Sequence, residues 1–187
     1  SLIVGLLATA LSVALGTLSA LGLARSKSRW AGAIKMLFIA PMIVPVILIA
    51  ISSYFFMAPL GLTNSYLGLV LGHTIIAVPF VVLPVLTALE LLDPNLSRAA
   101  AACGATPRLA FLSVTLPIIM PAMASGALFA FATSFDDVVI ALFIAGPDQR
   151  TLPKELFTAM RSPMTPAYTA VATLMILFST SLFILMQ

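Results

Sequence analysis

The residues able to do chemistry are few: six acids, nine basic residues, one histidine and one cysteine in 187 positions. Their placement argues against catalysis. His73 lies inside a long apolar run and Cys103 in a polar stretch between runs, so no Ser-His-Asp or Cys-His arrangement is credible. No GxxxxGK[S/T] phosphate loop occurs, and the chain therefore has no means of hydrolysing ATP by itself. A single cysteine forms no intramolecular disulfide and no cysteine metal cluster, and neither a metal nor a cofactor is expected. The most informative acids are Asp136 and Asp137, which end one apolar run and precede the run Val138–Gly146, too short to cross a bilayer. They are expected near the outer membrane edge, with at most one of two adjacent side chains facing a pathway. A carboxylate there attracts an amine-bearing cation, or else caps a helix and hydrates the end of a span. His73, about a third of the way through its run, makes either an interhelical hydrogen bond or a substrate or proton site.

The elements that position these residues follow from hydropathy. The chain is 61% hydrophobic and 8% charged, with a mean hydropathy of +1.18, whereas soluble domains carry about 25% charged residues. Such a surplus of apolar side chains cannot be buried in one water-facing globule of this size. Charge-poor runs at Ser1–Ala24, Met36–Met57, Ser65–Leu89, Ile118–Phe135 and Pro166–Met186 each approach the ~17–25 residues of a spanning helix, giving about five spans. Their continuous apolarity lacks the alternation of barrel strands, so the expected fold is an all-α polytopic bundle. Ser1–Ala24 carries no charge and would be ~36 Å long as a helix, which favours a span over a signal peptide. Because the chain opens inside an apolar run without a methionine, it reads as an excerpt.

Arg25, Lys27, Arg29 and Lys35 lie between the first two spans, and Arg98 and Arg108 between the third and fourth, so loops 25–35 and 90–117 are expected to be cytoplasmic. Prolines 41, 45, 79 and 84 are expected to kink their helices, either as flexing points around a path or as ordinary proline enrichment of membrane helices. Gly68 and Gly72 permit close helix approach.

The segment 93–117 has a grammar of its own. Asp93-Pro94 and Thr106-Pro107 each pair an N-cap residue with proline at the first helical position. Two short helices are expected, Pro94–Cys103 stopped by Gly104 and Pro107–Leu116 ended at Pro117. Ala99 to Ala102 offer a shallow docking surface, and Leu109, Phe111 and Leu112 offer apolar contacts. A DNA-reading helix would be basic, yet this one carries only Arg108, so no nucleic-acid partner is expected. A merely solvated loop would not need two sets of caps.

This loop resembles the cytoplasmic loop of permease subunits of ABC importers, whose pattern is EAA, three residues, Gly, nine residues, then Ile-x-Leu-Pro. Ala99-Ala100, Gly104, Val114, Leu116 and Pro117 fall at that spacing, with Arg98 where the pattern has glutamate and Val114 where it has isoleucine. The stretches "SFDDVVIALFIAGP", "TLPKELFTAMRSPMTP", "AVATLMILFS" and "GHTIIAVPFVV" resemble the spermidine/putrescine-type permeases, and the layout covers essentially all of residues 1–187 with the family's first helix missing. The resemblance implies one multi-pass permease domain of the bacterial inner membrane, with Arg98, Ala99, Ala100, Gly104, Ala105, Pro107, Val114, Leu116 and Pro117 forming the coupling-helix pair. It also implies the partners: two cytoplasmic ATP-binding subunits, a second permease and an extracytoplasmic solute-binding protein. The expected cargo is a small cation, a polyamine before all. A ferric ion, an opine or an amino acid are the alternatives, and a gradient-driven secondary transporter is the more distant one.

Overall fold

The computed structural model describes residues 1–160 and 166–184. These form helices α1 (Leu2–Arg25), α2 (Ala31–Ile43), α3 (Val46–Met57), α4 (Tyr66–Glu90), α5 (Pro94–Ala102), α6 (Pro107–Ala110), α7 (Leu116–Asp136), α8 (Val139–Ile144), α9 (Leu152–Ala159) and α10 (Pro166–Ile184). Among the described residues there is no strand, as expected of an all-α bundle.

The centre of the bundle is α4, wedged between α1 and α7. Small residues let the backbones approach. A Cβ on Gly16 would sit 2.8 Å from Val81 Cβ, and one on Gly126 would sit 3.0 Å from the Phe80 carbonyl oxygen. That carbonyl is one that Pro84 deprives of its helical donor, so the close passage of α7 covers the weak point of α4. Gly72 likewise admits Ile140 and Ile144, each 2.8 Å from where its Cβ would lie, and thus seats α8 against α4. Val81, Val82, Val85, Ile119, Ile140 and Ile144 are fully buried between these helices. In contrast Leu6, Leu18, Met36, Leu37, Ile43, Phe55 and Phe56 stand exposed, the outward apolar coat that a bilayer solvates.

Three helical stretches are long and apolar enough to cross a membrane: Leu2–Arg25, Tyr66–Glu90 and Pro107–Asp136. The expected span Met36–Met57 is not one straight helix: α2 and α3 meet at a 108° bend at Val44–Pro45, and count as a fourth crossing only when taken together. The cause is local. Proline at 45 has no N–H to give the Pro41 carbonyl, and it drives the preceding Val44 out of the helical region to φ −74°, ψ 132°. Pro41, Pro79 and Pro84, by contrast, lie inside helices that run on past them. The fifth expected span corresponds to α10, and its end at Met186 lies outside the described residues.

A second difference concerns the loop. Pro107–Leu116 does not stand apart from the membrane span: α6, a π-helical turn at Phe111–Thr115 and α7 form one 30-residue helix. Pro117 therefore ends nothing. Leu116 N–H reaches back five residues to the Phe111 carbonyl, and this wider ladder carries the helix past the donor that Pro117 lacks.

Candidate functional site

The polar elbow 93–117 is built by caps that the sequence spells out. Asp93 accepts a hydrogen bond from Asn95 N–H at 2.8 Å, and Thr106 Oγ1 accepts one from Leu109 N–H at 3.3 Å. Between them Gly104 takes φ +85°, while Gly104 N–H donates to Ala101 O and Ala105 N–H to Ala100 O. That pair of bonds is a Schellman closure, which requires a left-handed residue after the helix and so favours glycine. The result is a stub, α5, that turns sharply into the long helix α6–α7. Arg98, Ala99, Leu96 and Leu109 are exposed on it, and α5 packs against α6 and the π turn only lightly. Arg98 reaches Asn95 Oδ1 at 3.4 Å and meets no carboxylate among the described residues. Cys103, the one thiol, is exposed at the corner.

Inside the bundle the structure separates the two adjacent acids. Asp137 Oδ2 accepts from Ile140 N–H at 2.8 Å and caps α8, so α7 and α8 form a second interrupted helix. The other side of Asp137 faces a cavity of about 350 Å³ lined by Pro41, Val44, Val46, Ile76, Phe80 and Thr133. Ile76 and Phe80 lie midway along α4, which places Asp137 well below the outer edge where the sequence put it. The reason is that α7 stops early, and α8 continues outward until Ile144 O accepts from Asn64 N–H at the outer turn. The two helix breaks, at Val44–Pro45 and Asp137–Val138, thus meet on one cavity. There the last carbonyls of α2 lack helical donors, the Pro41 carbonyl necessarily so, and their partial negative charge adds to that of the carboxylate.

Asp136 points elsewhere, into a cavity of about 490 Å³ between α7, α9 and α10 lined by Val138, Leu156, Phe157, Met175, Ile176 and Ser179. His73 is 1% exposed and pairs its Nδ1 with Ser134 Oγ at 3.0 Å, bridging α4 and α7, while its Nε2 has no partner among the described residues. A cavity of about 730 Å³ lies between α1, α2, α3 and α4; Ser52, Ser53 and Thr74 are the polar residues in an otherwise apolar wall. No group of three or more His, Cys, Asp or Glu residues that could hold a metal ion occurs among the described residues. Sequence reasoning missed Pro41, Val44 and Thr133 as neighbours of Asp137. Pro45 was the available signal, because a proline four residues after Pro41 leaves an acceptor free.

On the outer side, Lys154 Nζ donates to the carbonyls of Ala145 and Gly146, both at 2.9 Å, and so holds the C-terminus of α8. Arg150 and Glu155 are exposed with 4.0 Å between them. Arg161 lies outside the described residues.

Comparison with known proteins gives the arrangement a lineage. Residues 12–187 match the family described as binding-protein-dependent transport system inner membrane component. The chain is 30% identical over 187 residues to a spermidine/putrescine transport system permease protein of Haemophilus influenzae, covering all of this chain and 73% of that protein. It is 33% identical over 183 residues to a putrescine transport system permease protein of Escherichia coli, covering 94% of this chain and 65% of the relative. A sulfoquinovosyl glycerol transport system permease protein of Agrobacterium fabrum is 31% identical over 154 residues, covering 82% of this chain and 54% of that protein. The chain thus spans about two thirds to three quarters of the length of the two polyamine relatives.

Proposed function

This chain belongs to the family of binding-protein-dependent transport system inner membrane components, and from that premise we propose that it is the permease subunit of an ABC importer that carries a polyamine inward. Residues 1–187 then act as one permease domain that pairs with a second permease, receives cargo from an extracytoplasmic binding protein and takes its energy from two cytoplasmic ATP-hydrolysing subunits. The protein supplies no catalysis of its own. Loops 25–35 and 90–117 face the cytoplasm, and the elbow Asp93–Pro117 is the handle that the ATPase grips. Rigid continuity from α6 through the π turn into α7 supports that role, since a push on the elbow is delivered along one helix to Asp137 at its far end.

The observation that carries the substrate reading is the acid at the junction of two broken helices. Identity near 30% is shared with a sulfoquinovosyl glycerol permease as well as with the polyamine permeases, so identity alone does not choose the cargo. Asp137 does. One carboxylate oxygen caps α8, and the remaining lone pairs, together with the donor-free end of α2, form an electronegative spot inside the membrane that suits an alkylammonium group. A sulfonated or carboxylated cargo would be repelled there, and the alternatives of an opine or amino acid are disfavoured for the same reason. A ferric ion would require a cluster of hard oxygen ligands rather than a lone carboxylate. A gradient-driven transporter would have no use for an exposed, doubly capped handle.

The test is uptake of labelled putrescine or spermidine by vesicles holding the complete transporter, with and without internal ATP. ATP-dependent uptake, competed by diamines and not by amino acids, is the expected result. Uptake that follows an ion gradient without ATP overturns the importer reading, and competition by an anionic solute overturns the polyamine reading.

A further inference from the structure

The sequence read the cluster Arg25, Lys27, Arg29 and Lys35 as a marker of topology alone. The structure distinguishes among its members. Lys35 is neutralised, its Nζ 3.3 Å from Glu90 Oε1 at the end of α4. Glu90 is also the first acid in the chain, so the preceding 89 residues hold four cations and no carboxylate. Arg25, Lys27 and Arg29 are exposed and no carboxylate pairs with them among the described residues. Arg29 instead lies over the ring of Trp30, 5.3 Å from its centroid, and Trp30 is 60% exposed.

The place of these residues is set by the helices. Arg25 ends one membrane-length helix, α1, and Glu90 ends another, α4, so the loop between α1 and α2 lies at the level of lipid headgroups. Ser26 Oγ accepts from Ser28 N–H, and Ser28 Oγ accepts from Trp30 N–H, both at 3.2 Å, which folds the loop into a tight turn. A cavity of about 330 Å³ opens beside it, with apolar walls from Leu23, Ala24, Ala31 and Leu86 and with Ser26 and the paired Lys35 and Glu90 as its polar lining. Uncompensated cations, an amphipathic ring at interfacial depth and an adjoining apolar slot are complementary to one ligand chemistry: a phosphodiester anion with hydrocarbon attached.

We propose that the Arg25–Lys35 loop is a binding site for anionic phospholipid, with Arg25, Lys27 and Arg29 holding the headgroup, Trp30 seated at the interface and the slot beside Lys35 accepting the upper acyl chain. The proposal rests on the importer reading only for the leaflet it names, the cytoplasmic one. Retention of such a lipid fixes the depth of the loop joining α1 to the bent span α2–α3.

Trp30 is the single tryptophan of the chain, so its fluorescence reports on this loop alone. The protein is reconstituted in phosphatidylcholine bilayers containing a fixed fraction of brominated lipid, either phosphatidylglycerol or phosphatidylcholine brominated high on the acyl chain. Brominated phosphatidylglycerol should quench Trp30 with a relative affinity at least about fivefold above that of brominated phosphatidylcholine, the worth of a single basic residue at an anionic surface. The preference should fade in 1 M salt, where the screening length falls to about 3 Å. The triple variant R25Q/K27Q/R29Q should lose the preference, and Lys27→Gln alone should lose part of it. Equal quenching by the two lipids at low salt overturns the proposal without any variant having to insert. Because brominated lipid occupies both leaflets, that failure is separate from failure of the importer reading, which ATP-dependent uptake judges.

Discussion

Replacing Gly104 tests the elbow at the point where its energetics are simplest. The residue sits at φ +85°, and no atom lies within 4 Å of where its Cβ would be. A side chain there meets no clash, so the whole penalty is that of holding an L-residue in the left-handed region, about 1–2 kcal/mol. That shifts the ratio of closed to open elbow by a factor of about 5–30. The shift is felt because α5 is only 9 residues long, below the ~12–15 at which an isolated helix becomes marginal, and little tertiary packing supports it. If the closed elbow is what the ATPase subunit grips, its apparent dissociation constant rises with the loss of the competent state. Binding of the purified ATPase subunit to reconstituted permease should therefore weaken in the order Gly, Asn, Ala, Val at position 104, because asparagine tolerates the left-handed region best and a β-branched residue least. Thermal unfolding of the membrane bundle should stay within a degree or two of the parent, since no described neighbour lies within 4 Å of the added Cβ. Wild-type affinity in Gly104→Val, or equal damage from Asn and Val, refutes the reasoning.

Other expectations follow from the same geometry. Asp137→Asn keeps an acceptor for Ile140 N–H but removes the charge, so insertion and stability should hold while polyamine uptake falls at least about tenfold; Asp137→Ala should in addition lose the cap, about 1 kcal/mol, in a thermal unfolding assay. Asp136→Asn, altering a different cavity, should affect uptake much less than Asp137→Asn. Gly72→Ala places a Cβ 2.8 Å from Ile140 and Ile144 and should destabilise the bundle by about 1–3 kcal/mol, measured as a fall in Tm. Ser134→Ala leaves the buried His73 ring without its one partner and should cost about 1–3 kcal/mol, whereas Ser134→Thr, which restores a hydroxyl, should recover part of it.

The elbow was legible because its signals are local. Asp93, Pro94, Gly104, Thr106 and Pro107 each act within a turn of themselves, and the first cap, the stop and the second cap all fall where the residues say. The long spans were legible because apolar length is a property of composition. What was not legible depends on neighbours. Pro45 and Pro84 look alike in sequence, yet the first breaks its span while the second rides through. Pro84 sits where Gly126 lets α7 cover the Phe80 carbonyl, whereas Val44 next to Pro45 is exposed and free to turn extended. Pro117 misled for a similar reason, since the π turn before it absorbs the missing donor. The depth of Asp137 was hidden because hydropathy sees only that an apolar run ends at an acid, whereas the outward continuation through α8 depends on the packing of Ile140 and Ile144 on Gly72, a residue far away in sequence.

Cys103 provides the most direct test of whether a separate motor drives this bundle through the elbow. As the only thiol in residues 1–187 and an exposed one, it is the anchor for a crosslinker in the complete transporter. A short thiol-to-amine crosslinker should trap the ATP-hydrolysing subunit on the cytoplasmic side, with a yield that changes when nucleotide is added. Labelling of Cys103 from the outer face of intact cells, or crosslinks that never include a nucleotide-hydrolysing protein, would contradict it.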